Sequence, residues 1–431
     1  MKKTISLVLA VLFLLTVTSI ATAEGSEVTL LGVINTEGNA YDDALIDAVA
    51  RYEEQSGNTV DRQYFPDQTA YQEKVYTLAA ADELADVFYL KGSWMTEFVE
   101  NEWVADISEV LEANPEFVAK YNDGAFANFI RDGKTYGVPT ESMVTSIVFY
   151  NKALWQKAGY DEFPKTWDEL IEAAPKFEEM GITEFVLGNK ANWPAESCWF
   201  STIGNFGTGP DWTDAILAKD GSASYEDPGM IEALGKFQEL AMTPGALNAD
   251  VNSMDENQAR EVFFNQQAAT IVEGTWFISQ IEMTQPEFID DIELTILPSW
   301  EGAKGAANEV SGGPAWAFAI SKKAMDDDAR RQNAIDLILE LMGEKSVAQA
   351  LEGGIIMASS VEFDDSKLGP ILLKYLDMMG DKSTVPIYDA CMESGVVETF
   401  NVGLQELLIN AKTPEELAAE TQMEYEMATI G

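Results

Sequence analysis

The sequence predicts an α/β protein of two domains, and three observations carry that expectation. Strand-like and helix-like patterns alternate from residue 27 to residue 90, as in a parallel sheet with covering helices. The chain has 431 residues, more than the roughly 250–300 that one hydrophobic core sustains. Residues 136–155, YGVPTESMVTSIVFYNKALW, join a turn, an apolar strand and a helix start, with ligand-type loops on both sides. That stretch reads as a crossing between the domains.

Residues 1–23 read as an export signal that is removed. Lys2 and Lys3 precede an apolar run, and Ala21-Thr22-Ala23 has the small-residue pattern of a cleavage site. No cysteine follows it, so no lipid anchor is expected and the location is periplasmic or secreted. A second run long enough to span a bilayer is absent from the sequence.

Residues 27–34, EVTLLGVI, form a near-continuous apolar run suited to a central strand. Leu45, Ile46, Val49 and Tyr52 share one helix face, and Gly57 stops that helix. Residues 59–65 read as the next strand; Tyr71, Val75 and Leu78 mark a second helix, and residues 86–90 a third strand. Such sheets bind ligands beyond the carboxyl ends of their strands. The loops of interest are therefore 35–39, with Asn35, Thr36 and Glu37, then 64–67, with Tyr64 and Asp67, and 91–94, with Lys91 and Trp94.

In the crossing, Gly137 frees the backbone and Pro139 holds its predecessor extended. Residues 143–150 are β-branched and aromatic and read as one buried strand, after which Asn151 can cap a helix from Lys152. Thr166 and Glu169 have capping-box spacing ahead of Leu170, Ala173 and Phe177. A short strand at 185–187 leads to the loop 188–194, which holds Trp193. Residues 268–272 form a strand that runs into Glu273-Gly274-Thr275-Trp276. A strand at 291–297 and a Gly-rich connection at 301–305 follow, and Gly312-Gly313-Pro314-Ala315-Trp316 opens a strand at 317–320 that returns to the first domain. Helices dominate the rest, with a break at Gly353-Gly354 before residues 359–365, and no internal repeat is present.

Composition excludes several functions. With 27 basic and 73 acidic residues the net charge is -46, and the cations form no stripe, so nucleic acid is not a partner. Acidic runs such as Asp326-Asp327-Asp328 read as solvated surface, with salt adaptation and calcium binding as minority readings. The absence of histidine removes the usual general base, the histidine triads and the commonest transition-metal ligand. Cys198 and Cys391 could pair, for about 4–5 kcal/mol on the chain-entropy view, or stand as two buried thiols.

Gly204-Asn205-Phe206-Gly207-Thr208-Gly209 lacks the ending of a phosphate loop and reads as a flexible loop. A carboxylate pair for glycoside hydrolysis is uninformative among 73 acids. The positive signal is aromatic: Trp94, Trp193, Trp276 and Trp316 each follow an expected strand, where a ring can stack on the apolar face of a sugar. One tryptophan is more often core than cleft; four at strand ends shift the balance.

The motifs with their order resemble the extracellular solute-binding proteins of bacterial ABC importers, in the carbohydrate-binding family 1 that includes maltose-binding protein. The most specific parts are the export signal, Tyr136-Gly137-Val138-Pro139, Phe149-Tyr150-Asn151-Lys152, Pro164-Lys165-Thr166-Trp167-Asp168-Glu169-Leu170, residues 268–276 and Gly312-Gly313 with Ala319-Ile320-Ser321-Lys322. The resemblance implies a two-lobed periplasmic-binding fold of type II, with three hinge crossings and a ligand cleft between the lobes. Crossings are expected near Thr140, 310–313 and 360–365, giving lobes of residues 24–140 with about 314–361, and 141–313 with about 362–431. It implies a carbohydrate ligand, a neutral oligosaccharide, and a membrane permease as partner, with no catalysis and no cofactor, in a monomer. Taking the residues and the resemblance together, the expected contacts are Asn35, Glu37, Tyr64, Asp67, Trp94, Glu141, Trp193, Trp276, Gly313, Trp316 and Phe400; the sequence departs from the family at Thr140-Glu141, where relatives often have small or aromatic residues, and at Phe400, where the family's terminal-region aromatic is shifted. An anionic ligand would need Arg62, Lys91 or Lys190 in the cleft. A secreted carbohydrate-active enzyme and a binder of polyamines or metal ions are the alternatives.

Overall fold

The computed structural model describes residues 25–33, 40–65, 68–122 and 124–430. The export-signal residues, and Asn35, Thr36, Glu37 and Asp67 among the expected contacts, lie outside the described residues.

The first sheet has five strands in the order Thr59–Phe65, Glu27–Val33, Val87–Lys91, Trp316–Ile320, Val138–Pro139. The first three run parallel, and the returning strand closes antiparallel on the third with Trp316 opposite Lys91. Val87–Lys91 is buried along its whole length, as a central strand of a covered sheet must be. The helix Ala40–Ser56 packs against Asp328–Leu341 and Glu344–Glu352, so the chain comes back late to complete the core it began.

A second sheet is ordered Ile292–Ile296, Ile147–Asn151, Ala268–Glu273, Thr183–Val186. Between the two lies a three-stranded sheet of Ser383–Val385, Glu309–Gly313 and Met143–Val144. The chain passes from the first large sheet to the second at 138–147 and back at 309–316, and after 357 it crosses again to place the helix Pro370–Met378 against Ile292–Ile296. One apolar core gathers around the first sheet, and two contiguous clusters surround the second.

Local expectations hold at the caps. Asn151 accepts from Leu154 N (3.1 Å), and Thr166 and Glu169 make both bonds of a capping box. Two expectations fail. The strand expected over 143–150 is broken at Thr145 and Ser146, whose hydroxyls turn to Ser311 Oγ at 2.8 Å each, so its halves belong to different sheets. The glycine-rich 204–209 stretch is not a loop: Ser201–Thr208 is a buried helix. A Cβ on Gly207 would stand 2.2 Å from the Gly229 carbonyl oxygen, and one on Gly204 2.7 Å from the Tyr388 hydroxyl. Both glycines serve close helix packing.

Candidate functional site

The best-formed polar and aromatic group lies at the carboxyl end of Ala268–Glu273, beside the connecting sheet, where Thr275 N donates to the Val144 carbonyl (2.9 Å). Ala268–Glu273 is buried at every residue, which fixes the direction in which it delivers Glu273 and the turn after it. Gly274 is required, because a Cβ there would lie 2.2 Å from the Trp276 ring, which folds back over the backbone. Trp276 Nε1 donates to Glu273 Oε2 (2.7 Å), and Arg260 Nε donates to Glu273 Oε1 (2.8 Å). Burial opposes charge on Arg260, yet Glu273 and then Glu256 hold its guanidinium above its ordinary value. Burial likewise pushes Glu256 up to about 7. The indole is thus held from behind by a carboxylate that is itself held by a guanidinium.

Trp193 meets Trp276 edge to face, with ring centroids 5.8 Å apart and planes at 69°. Its loop is anchored through Asn189, whose Oδ1 accepts from Ala195 N (2.9 Å) and whose carbonyl accepts from Gln405 Nε2 (2.8 Å). Both rings are only partly buried, so they form a rigid aromatic corner that still offers surface.

Glu141 stands at the first crossing, 9% exposed and bridged to Met357. Burial, reinforced by Asp42, pushes its carboxyl up to about 8. Folding therefore takes up a proton that the unfolded chain, at 4.5, releases earlier. Stability is expected to fall as pH rises from 4.5 to about 8 and to level above it. In Glu141→Gln that slope should shrink, as read from urea midpoints across this window; an unchanged slope would remove Glu141 from the account.

Other expected contacts are placed differently. Trp94 is 2% exposed and packs with Tyr71 (6.1 Å) and Trp316 (5.4 Å) in the first core. Trp316 is 9% exposed, beneath Lys91 Nζ at 5.6 Å from its ring. Phe400 is 3% exposed in the second core, against Phe200 at 5.1 Å. These three rings are packing residues in this arrangement: Trp94 ends a short turn that leads into the helix Met95–Glu100, Trp316 opens the strand Trp316–Ile320, and Phe400 lies on the buried face of the helix Ser394–Leu408. Gly313 contributes backbone freedom at the second crossing, with φ of +136°. Tyr64 is half-buried at the end of its strand.

Sequence reasoning missed a buried charged group. Lys91 Nζ bonds Asp389 Oδ2 at 2.7 Å, with both side chains almost fully buried. Beside them, burial first and Asp389 second hold the Glu196 carboxyl far above its ordinary value, and Ser201 Oγ donates to it at 2.5 Å. Nothing in the sequence marks Glu196 or Asp389 among 73 acidic residues for this group. Of the cations considered for an anionic ligand, Lys91 is thus occupied, Arg62 pairs with Glu53, and Lys190 is exposed. Cys198 and Cys391 are buried free thiols, so the disulfide alternative is not realised. Among the described residues no group of three or more ligating side chains is gathered for a metal ion, and no helix is long and apolar enough to cross a membrane.

Comparison with known proteins agrees with this architecture. The family model described as bacterial extracellular solute-binding protein matches residues 35–342. A putative binding protein of Brucella abortus is 26% identical over 217 residues, 50% of this chain and 50% of that protein. The chain thus spans about half the length of the curated Brucella relatives it matches. The diacetylchitobiose binding protein of Streptomyces coelicolor is 23% identical over 297 residues, 67% of this chain and 63% of that protein. A solved chitin oligosaccharide binding protein superposes with a TM-score of 0.84 at 22% identity, covering 95% of this chain and 100% of that one. That likeness establishes the two-lobed α/β fold.

Proposed function

Because the chain belongs to the bacterial extracellular solute-binding protein family, we propose that it captures a neutral oligosaccharide between its lobes and hands it to the permease of an ABC importer. The observation that carries this reading is the Trp193–Trp276 corner, fixed from behind by Glu273 and Arg260. Two rigid rings inclined at 69° suit a sugar's apolar faces, and the neighbouring carboxylates and amides suit its hydroxyls. The relative named for diacetylchitobiose and the neighbour named for chitin oligosaccharides support a carbohydrate. Lys91 being paired with Asp389 supports a ligand without negative charge.

On this reading the lobes are residues 24–140 with about 314–361, and 141–313 with about 362–431. Residues 1–23 are removed on export, and the mature protein works as a periplasmic or secreted monomer without catalysing a reaction. The ligand acts by favouring the closed arrangement over an open one, which requires only that it bind the closed form better. Asn35, Glu37 and Asp67 remain proposed contacts from the first lobe, with Tyr64 and Glu141.

A thermal-shift panel tests the proposal. Neutral β- and α-linked oligosaccharides should raise the melting temperature, by mass action on the folded form. If spermidine or calcium raises it and no neutral sugar does, the carbohydrate reading is wrong. Appearance of shortened sugars during incubation with purified protein would replace it with an enzyme.

A further inference from the structure

A cavity of about 340 Å³ between the lobes is lined in part by Cys391, at the end of the short helix Tyr388–Cys391 that also carries Asp389. Its lining includes neither ring of the aromatic corner and not Glu141. Thr96, Ala127 and Arg131 come to it from the first lobe; Tyr225, Val396 and Tyr425 come from the second. The volume is that of a small-molecule site.

Its chemistry is unlike that of the rest of the chain. Two cations, Arg131 and Lys219, and one carboxylate, Glu393, line it, in a protein with 27 basic and 73 acidic residues. Glu393 is engaged through Oε1, which accepts from Lys219 Nζ (2.9 Å) and from Thr96 Oγ1 (3.4 Å). Arg131 is the surplus charge. Its Nη1 donates only to the carbonyls of Ile130 (2.8 Å) and Asn128 (3.4 Å), and among the described residues no carboxylate pairs with it. A guanidinium in an acidic protein normally finds a carboxylate, and one held half-buried with spare donors is arranged for an acceptor that comes from outside. Burial holds it below its ordinary value, against the pull of Glu393, which an added anion would reinforce.

The opposite wall is carbon. Tyr225 and Val396 are 1% exposed, and the two tyrosine hydroxyls are already engaged, Tyr225 with Met392 Sδ (2.7 Å) and Tyr425 with the Ile216 carbonyl (2.8 Å). We propose that this cavity is a second ligand site, for a small organic carboxylate whose apolar body lies against Tyr225, Tyr425 and Val396 while its carboxylate meets Arg131. Because the walls come from both lobes, such a ligand also holds the lobes in the arrangement seen here.

Titration calorimetry with phenylacetate and hexanoate, and with phenylacetamide as the uncharged control, tests the site on the full mature chain. The carboxylates should bind and the amide should not. Arg131→Gln should weaken carboxylate binding by about tenfold or more, the scale of a lost charge-assisted bond. Ala127→Trp, a change at an exposed rim residue, should block the cavity and weaken it equally without changing the melting temperature. Absence of carboxylate binding by the unaltered protein, or equal binding by the unaltered protein and Arg131→Gln, overturns the proposal. So does Ala127→Trp weakening an oligosaccharide while no carboxylate binds, which would make the cavity an outer part of the sugar cleft. The outcome is separate from the sugar panel, since the carboxylates are scored without any sugar present.

Discussion

Trp276→Ala is expected to weaken oligosaccharide binding by about a hundredfold, roughly 2–3 kcal/mol, the scale of an aromatic anchor at the centre of a site. The ring is partly buried and packs against both apolar clusters of the second sheet, so some loss of stability should accompany the binding loss, and Kd is read on protein shown to be folded. The loss has two parts. Stacking area disappears, and Trp193 loses the neighbour that meets it at 69°. Glu273→Gln separates them: it keeps both rings but replaces the charged acceptor of Trp276 Nε1 and removes the ion pair with Arg260 at 2.8 Å. Its binding loss should be smaller than that of Trp276→Ala and accompanied by lower stability, because Glu256 at 3.4 Å is then the one carboxylate still paired with Arg260 among the described residues. Calorimetry on both variants, with denaturant midpoints alongside, gives the two numbers. An unchanged Kd in Trp276→Ala would remove the aromatic corner from the binding account.

What could be read from the chain follows a physical divide. Alternation of apolar runs with helical periodicity placed Glu27–Val33, Thr59–Phe65 and Val87–Lys91 closely, because burial on both faces leaves a continuous apolar signature. Trp193 and Trp276 were visible because each follows a strand beside Gly or Pro. Trp94 and Trp316 read the same way in the sequence yet lie within the first core, Trp94 because it leads into the helix Met95–Glu100 and Trp316 because it is itself the first residue of a sheet strand. Likewise Gly204 and Gly207 read as loop formers by composition, and only the approach of Gly229 and Tyr388 reveals them as packing glycines. The split of the 143–150 strand was hidden for a related reason. Thr145 and Ser146 suit a strand in isolation, and their reason for leaving it, Ser311, lies far along the chain. Long-range polar partners were the least legible feature: among 73 acids nothing marks Asp389 as the one that meets Lys91.

That pair carries the second large effect. Lys91→Met is expected to destabilise the protein by about 3–5 kcal/mol, because it leaves Asp389 buried without its cation. The side chains are 6% and 4% exposed, so water cannot make good the loss, and Glu196 close by adds no positive charge. Coulomb attraction and desolvation nearly cancel in an intact buried pair, so the cost lies in breaking it and not in lacking it. The double variant Lys91→Met with Asp389→Leu should therefore recover most of the loss of the single one. Urea unfolding of the two singles and the double closes the cycle. Equal destabilisation in the single and the double variant would mean that the two residues act independently. Gly92 sharpens the expectation, because a Cβ there would lie 2.1 Å from the Ala390 carbonyl oxygen. The strand end that carries Lys91 is thus in backbone contact with the helix that carries Asp389, and the charge has no room to swing elsewhere when its partner is removed.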